Sequence, residues 1–295
     1  MGEGNKINFM KILILGFQGN LGTQLYKIFS ADKNYDVIGV DKADIDLCNH
    51  LSLVEKIREI NPEIIINAVA YNAVDKCEEY AGQFALANDL NGEAVGYLAQ
   101  AALNVGAILV HYSTDYVFAG DKVEGYKETD VPGPINNYGK SKLLGETRIL
   151  ERTLDGLKYY IIRTSKLFGP KGVAENVKPS FFDVMLNLAK EREEISAVDE
   201  ELSCFTYTLD LANKTKEIIE TKKEYGIYHV VNSEPVTWYE AVRTLFTLKN
   251  INVKLKPVSG TEFPRPAKRP RYSVLLNTKL EPLRSYKEAL KEYLG

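Results

Sequence analysis

Met10-Lys11-Ile12-Leu13-Ile14-Leu15-Gly16-Phe17-Gln18-Gly19-Asn20-Leu21-Gly22 decides the fold. A short apolar run that stops at glycine reads as a parallel strand buried on both faces. From Asn20 to Ser30, Leu21, Leu25, Ile28 and Phe29 recur at helical spacing. The glycines between answer three needs of a dinucleotide site. Gly16 permits a tight turn, Gly19 lets the backbone approach a pyrophosphate, and Gly22 allows the helix to pack closely on the sheet. The helix start adds unpaired N–H groups and a positive dipole end, which brings Asn20 and Leu21 into the candidate cofactor site. The spacing is G-x-x-G-x-x-G rather than the commoner G-x-G-x-x-G, and a glycine turn without ligand is the competing reading.

Working outward, Tyr35–Val40 is a second strand ending at Asp41, and Leu51–Ile60 a helix. Ile64–Ile66 is a third strand, closed by Asn67-Ala68-Val69-Ala70. One long helix is expected from about Gly82 to Val105, then a strand over Ile108–Tyr112. Residues 120–137 are rich in Gly, Pro and Asp and read as loop. A helix carrying Tyr138 should run to about Leu154, before a strand over Tyr159–Ile162. Alternating strands and helices give an α/β fold, a Rossmann-type doubly wound parallel sheet with ligands at the carboxyl ends of its strands. After Arg163 the rhythm loosens: helices near 179–189, 209–221 and 238–248 alternate with shorter strands. A basic, proline-rich stretch, Pro264–Arg271, precedes a terminal helix. The expected division is a dinucleotide-binding domain over 10–165 and a smaller C-terminal substrate-binding lobe over 166–295, partly interleaved with it. Residues 1–9 read as a disordered leader, an expression remnant or an alternative start.

The composition narrows the function. A net charge of −3 gives no electrostatic case for nucleic acid or an anionic membrane. No apolar run approaches the roughly 18 residues that span a bilayer, and the N-terminus lacks the apolar segment of a secretory signal. Cys48, Cys77 and Cys204 show neither disulfide nor metal-ligand spacing. A cytoplasmic location and no metal are the expectations.

Several residues could carry chemistry. Tyr138 and Lys142 stand four apart, hence on one helix face. A phenol can give a proton to a carbonyl, and a neighbouring ammonium should lower its pKa toward working pH. Thr114, just after a strand, could hydrogen-bond the same carbonyl. Asp41 can accept both ribose hydroxyls of NAD and repel the extra phosphate of NADP, slightly favouring NAD; Lys42 partly offsets that repulsion. Asp46, Leu47, Ala68, Val69 and Ala70 lie at the same edge, where small residues leave room for adenine and ribose or simply suit helix–sheet packing.

Taken together, the chain resembles an extended short-chain dehydrogenase/reductase, specifically the dTDP-4-dehydrorhamnose reductase family. The resemblance rests on Gly16–Gly22, Asn67–Lys76, Ser113–Phe118, Tyr138–Lys142, Arg163-Thr164-Ser165 and Arg265–Ser273, and so covers nearly the whole chain from Met10. It implies a reduced nicotinamide cofactor, NADPH or NADH, delivering hydride to C4 of a 6-deoxy-4-keto nucleotide sugar, with dTDP-4-dehydro-L-rhamnose the leading substrate. It also implies roles. Tyr138 matches the proton donor, Lys142 the lysine that holds the nicotinamide ribose, Thr114 the hydroxyl that orients the keto oxygen, and Asp115 a sugar contact. Arg269 and Ser273 fall in the stretch where the family places substrate contacts. Some family members use Mg2+ in dimerisation; the resemblance allows a homodimer here, and no residue cluster compels a metal.

The departures fall on the substrate side. Lys166, read as a flexible cation, stands where the family usually has a sugar-packing tryptophan, which implies a changed substrate or lost stacking. Ser203 and Phe205 replace a glycine and a proline, and Ala119 replaces an aspartate. A 4,6-dehydratase would need a second carboxylate after Asp115, where Tyr116 stands. Two alternatives stay open: a reductase of a different keto-sugar nucleotide, and a non-catalytic NAD(P)-binding regulatory subunit resembling that of methionine adenosyltransferase.

Overall fold

The alternation of the first apolar runs dictates two layers. In β1 (Met10–Leu15), Ile12 and Ile14 face one side and Leu13 and Leu15 the other, all of them buried. The computed structural model describes residues 9–175 and 177–295; the expected leader lies, apart from Phe9, outside the described residues.

Along the chain, β1 is followed by α1 (Asn20–Ser30), β2 (Tyr35–Val40), α2 (His50–Ile60) and β3 (Ile64–Asn67). Next come α3 (Lys76–Glu79), α4 (Ala81–Asn88), α5 (Ala94–Val105), β4 (Ile108–Thr114), α6 (Asn137–Leu150) and β5 (Lys158–Thr164). The second half adds β6 (Leu167–Phe168), α7 (Phe181–Glu191), β7 (Glu194–Val198), β8 (Thr206–Tyr207), α8 (Thr208–Glu220) and β9 (Gly226–His229). It closes with β10 (Asn232–Ser233), α9 (Trp238–Leu248), β11 (Lys254–Val258), β12 (Leu283–Ser285) and α10 (Tyr286–Leu294).

Six strands form one parallel sheet in the order β2-β1-β3-β4-β5-β9. The chain leaves β1 toward β2 and returns on its other side as β3, so a crevice opens at the carboxyl ends of β1 and β3. One face packs Leu13, Ile65, Leu109 and Ile161 under α2 and α5. The other packs Ile14, Ile66, Val110 and Ile162 under α1 and α8. The sixth strand and α8 therefore come from beyond residue 165. Beside the sheet, Phe168, Phe182, Phe205, Leu245 and Tyr286 build a separate core for the second lobe. Residues 264–276 run as a strap between the lobes: Tyr272 N–H donates to Gly120 O (3.0 Å), and Leu202 N–H to Arg271 O (2.8 Å).

Two elements differ from the sequence expectation. The helix over 82–105 is continuous from Ala81, but Asp89–Glu93 forms a π turn within it, ahead of α5. The wider turn aims Asn91 inward, where Oδ1 accepts from Tyr71 N (2.8 Å) and Nδ2 donates to Ser141 Oγ (3.0 Å). The Tyr138 helix ends at Leu150 rather than Leu154, because the Thr153 hydroxyl takes the Leu150 carbonyl (2.8 Å) and Gly156 (φ 91°) turns the chain into β5.

Candidate active site

The glycine turn is built without slack. Gly16 has φ 75°, and a Cβ on Gly22 would stand 2.0 Å from Gly16 O, so helix α1 leaves β1 as closely as backbone allows. Neither a capping side chain nor an acidic residue occupies the first turn of α1, which suits an anion at its N-terminus. The residues present therefore fit a dinucleotide. Asp41 accepts from Gln18 N (3.0 Å), joining the end of β2 to the turn. Val69 lies against Gly16, while Ala70 and Asp46 are exposed and Leu47 belongs to the core. Asn20 is engaged from an unforeseen direction: Oδ1 accepts from Gly172 N (2.8 Å), and Nδ2 donates to Lys178 O (3.2 Å). Gly172 lies so close that a Cβ there would meet Gln18 O at 2.4 Å.

Across the crevice, α6 presents Tyr138 and Lys142. Asn136 caps it by accepting from Gly139 N (2.7 Å) and donates to Lys268 O (2.9 Å), tying the helix start to the strap. A Cβ on Gly139 would lie 2.2 Å from Tyr116 O, so the helix is pressed against the end of β4. Thr114, the last residue of β4, faces the Tyr138 phenol and opposes the rise in its pKa. Lys142 is buried, with Nζ donating to Tyr112 O (2.6 Å) and lying 3.4 Å from Nε2 of buried His111.

The expected depression of the Tyr138 pKa is corrected here. Burial pushes the phenol up, Asp115 adds to the rise, and only Thr114 opposes it. The lysine is itself moved: burial lowers its amine to about 8, against the pull of Glu146. At neutral pH the pair is thus a protonated phenol beside an ammonium, which suits donation of a proton to a developing oxyanion.

The substrate-facing wall is of another kind. Asp115 is buried, accepting from Ser273 Oγ (2.6 Å) and Thr114 Oγ1 (3.1 Å); burial raises its pKa against these contacts. Arg269 is committed to structure: its guanidinium forks onto Asp75 (2.9 and 2.8 Å) and donates to Ala267 O (2.7 Å). Lys166 is not the flexible cation its sequence position suggests. Its Nζ is buried 3.7 Å from the centroid of the Trp238 ring and 5.0 Å from that of Phe205. Trp238 in turn donates to Glu201 (2.9 Å), on which Arg265 also forks. Two cavities adjoin: about 360 Å³ bordered by Arg265, Lys268, Arg269 and Arg271, and about 260 Å³ lined by Phe181, Met185, Val198, Trp238 and Phe263.

Sequence reasoning missed His111, Asn91, Gly172, Glu201 and Trp238. The lone tryptophan behind a Thr N-cap carried a signal; Asn91 carried none, because a π turn has no spacing signature in one sequence.

With this geometry in place, residues 10–295 match the family model described as RmlD substrate binding domain. A dTDP-4-dehydrorhamnose reductase of Burkholderia thailandensis is 34% identical over 97% of this chain and 93% of its own. The chain belongs to the dTDP-4-dehydrorhamnose reductase family. Among solved members, that of Clostridium acetobutylicum is 40% identical with a TM-score of 0.87, covering 97% of this chain and 98% of its own. The dTDP-4-dehydrorhamnose reductase of Bacillus anthracis, in complex with NADP, is 37% identical with a TM-score of 0.90, covering 97% and 99%. In this dTDP-4-dehydrorhamnose reductase family member, the Trp238 indole comes from α9 and stacks over Lys166. Among the described residues there is neither a cluster of three metal-binding side chains nor a helix long and apolar enough to cross a membrane.

Proposed function

We propose that the chain reduces the C4 ketone of a 6-deoxy-4-keto nucleotide sugar with NADPH or NADH, converting dTDP-4-dehydro-L-rhamnose into dTDP-L-rhamnose. The observation that carries this reading is the juxtaposition of the Tyr138 phenol and Thr114 beside buried Lys142, at the rim of a crevice opened by the glycine turn. The names of the relatives and the NADP of the Bacillus anthracis structure support it.

The nicotinamide supplies hydride to the carbonyl carbon. Gly16–Gly22 and the first turn of α1 hold the pyrophosphate, while Asp41, Asp46, Leu47 and Ala68–Ala70 border adenine and ribose. Lys142 holds the nicotinamide ribose and, as an ammonium, favours negative charge forming on the phenol oxygen. Tyr138 transfers its proton to O4 as the C–H bond forms at C4, and Thr114 donates to the same oxygen. Both contacts strengthen as charge builds, so they act on the transition state more than on the bound ketone. Asp115, positioned by Ser273, accepts from a sugar hydroxyl. Arg265 and Lys268 border the larger cavity, with the right charge for a diphosphate. In this scheme 10–165 carries the cofactor and the reacting groups, and 166–295 supplies the rest of the sugar side while completing the sheet with β9 and α8. Asp41 weighs toward NADH, whereas the Bacillus anthracis relative was solved with NADP. Following reduced-nicotinamide absorbance with freshly made dTDP-4-dehydro-L-rhamnose, NADH and NADPH in parallel, tests the reaction and the cofactor together. Rapid oxidation is expected, and none despite cofactor binding would reject the reading.

A further inference from the structure

Lys166 is a site residue whose charge the reaction above does not use. Its Nζ is buried without a hydrogen-bond acceptor, and no carboxylate among the described residues lies within ion-pairing distance. Its backbone is left-handed (φ 40°), a conformation that side chains other than glycine rarely adopt. One face is covered by Trp238 and Phe205. The charges that act on it come from Asp115, Glu201 and Arg265, which together span the end of β4, the loop before β8 and the strap. On the loop before β8, the buried Ser203 hydroxyl also has no partner among the described residues. Burial lowers the amine to about 7, so the ammonium is held at a cost that a new acceptor would relieve.

We infer that Lys166 determines sugar specificity: with Asp115 it reads the ring hydroxyl beside the reacting ketone, the ammonium donating to the oxygen that donates to the carboxylate. A hydroxyl is the group that satisfies both partners, since it gives one hydrogen and offers lone pairs. The substrate class is therefore a neutral, hydroxylated 4-keto hexose on a nucleotide. A sugar lacking that hydroxyl leaves both buried groups unmet, and an amino sugar adds a like charge. The inference rests on the reductase reading above and deepens it.

The test compares wild type, Lys166→Met, Lys166→Arg and Lys166→Trp on dTDP-4-dehydro-L-rhamnose and on its counterpart lacking the C3 hydroxyl. Wild type should lose about 10–100-fold in kcat/KM on the deoxy sugar, as expected for an unmet charged partner. Lys166→Met should lose a similar factor on the parent sugar, mainly through KM, and then scarcely distinguish the two. Lys166→Arg should restore part of the discrimination, and Lys166→Trp should bind without it. Thermal melts of Lys166→Met should be unchanged or raised, because the variant removes an unpartnered buried charge. Equal discrimination by wild type and Lys166→Met would overturn the inference, leaving Lys166 as packing under Trp238 while the reductase reading stands. If no protein oxidises cofactor with either sugar although all bind it, the reductase reading fails and this inference with it.

Discussion

The cofactor side and the substrate side of the crevice are finished to different degrees. Around the glycine turn, Asp41, Asn20 and Thr23 are each tied to backbone, and glycines meet atoms that leave no space for a methyl group. At the carboxyl ends of β4 and β5 and on the segment facing them, the buried polar atoms of Ser113, Thr164, Ser165, Lys166, Ser203 and Thr206 have no partner among the described residues, whereas on α1 Gln24 has one such atom. Folding satisfies buried polar groups as a rule, so a concentration of unmet ones marks the wall shaped for something else. The cofactor cradle is made by backbone, which any sequence with the right glycines can supply. The sugar wall is made by side chains, which is where one family member can differ from another.

The comparison can be broken at several points. The largest effect is expected at the seam between the two sides, where Tyr138→Phe should cut turnover by about 10²–10⁴-fold, the usual worth of a positioned acid. Cofactor affinity, measured by fluorescence titration, should be unchanged. Next in size is the buried pair beneath the site, Arg163 and Glu146 at 2.7 Å, both almost fully buried. Glu146→Leu should destabilise by about 3–5 kcal/mol in denaturant titration, because it strands a guanidinium, and adding Arg163→Met should recover much of the loss.

The pH dependence follows from Lys142. Its amine, lowered to about 8 by burial, is charged below that pH and neutral above it, while the raised Tyr138 phenol stays protonated throughout. Turnover should therefore fall as pH rises through about 8, and Lys142→Met should lack this limb in a kcat profile. The smallest effect sharpens the contrast most. Thr23→Val removes a partnered hydroxyl on the cofactor side and should cost about 1 kcal/mol. Thr206→Val removes an unmet one and should be neutral or stabilising in the same melts.

Much of this was legible in the sequence because it is local. A strand, three glycines and an amphipathic helix specify the cradle between Met10 and Ser30, and Tyr138 with Lys142 share a face at a fixed spacing. The sheet order, the sixth strand from beyond residue 165 and the π turn at Asn91 are long-range outcomes that no local pattern encodes. The same holds for energetics. The Tyr138–Lys142 spacing implied a depressed phenol, yet burial dominates both groups, raising the phenol and lowering the amine. Arg269 shows the converse case: its place in a basic run put it among the expected substrate contacts, and only the fold brings Asp75, distant in sequence, to meet it.

Hydride delivery to the sugar ketone is the claim on which everything else depends. A single turnover with C4-deuterated NADPH and dTDP-4-dehydro-L-rhamnose, the product examined by NMR, tests it most directly. Deuterium at C4 of dTDP-L-rhamnose is the predicted result, together with loss of that transfer in Tyr138→Phe. Deuterium retained on the cofactor while both ligands bind would contradict the account.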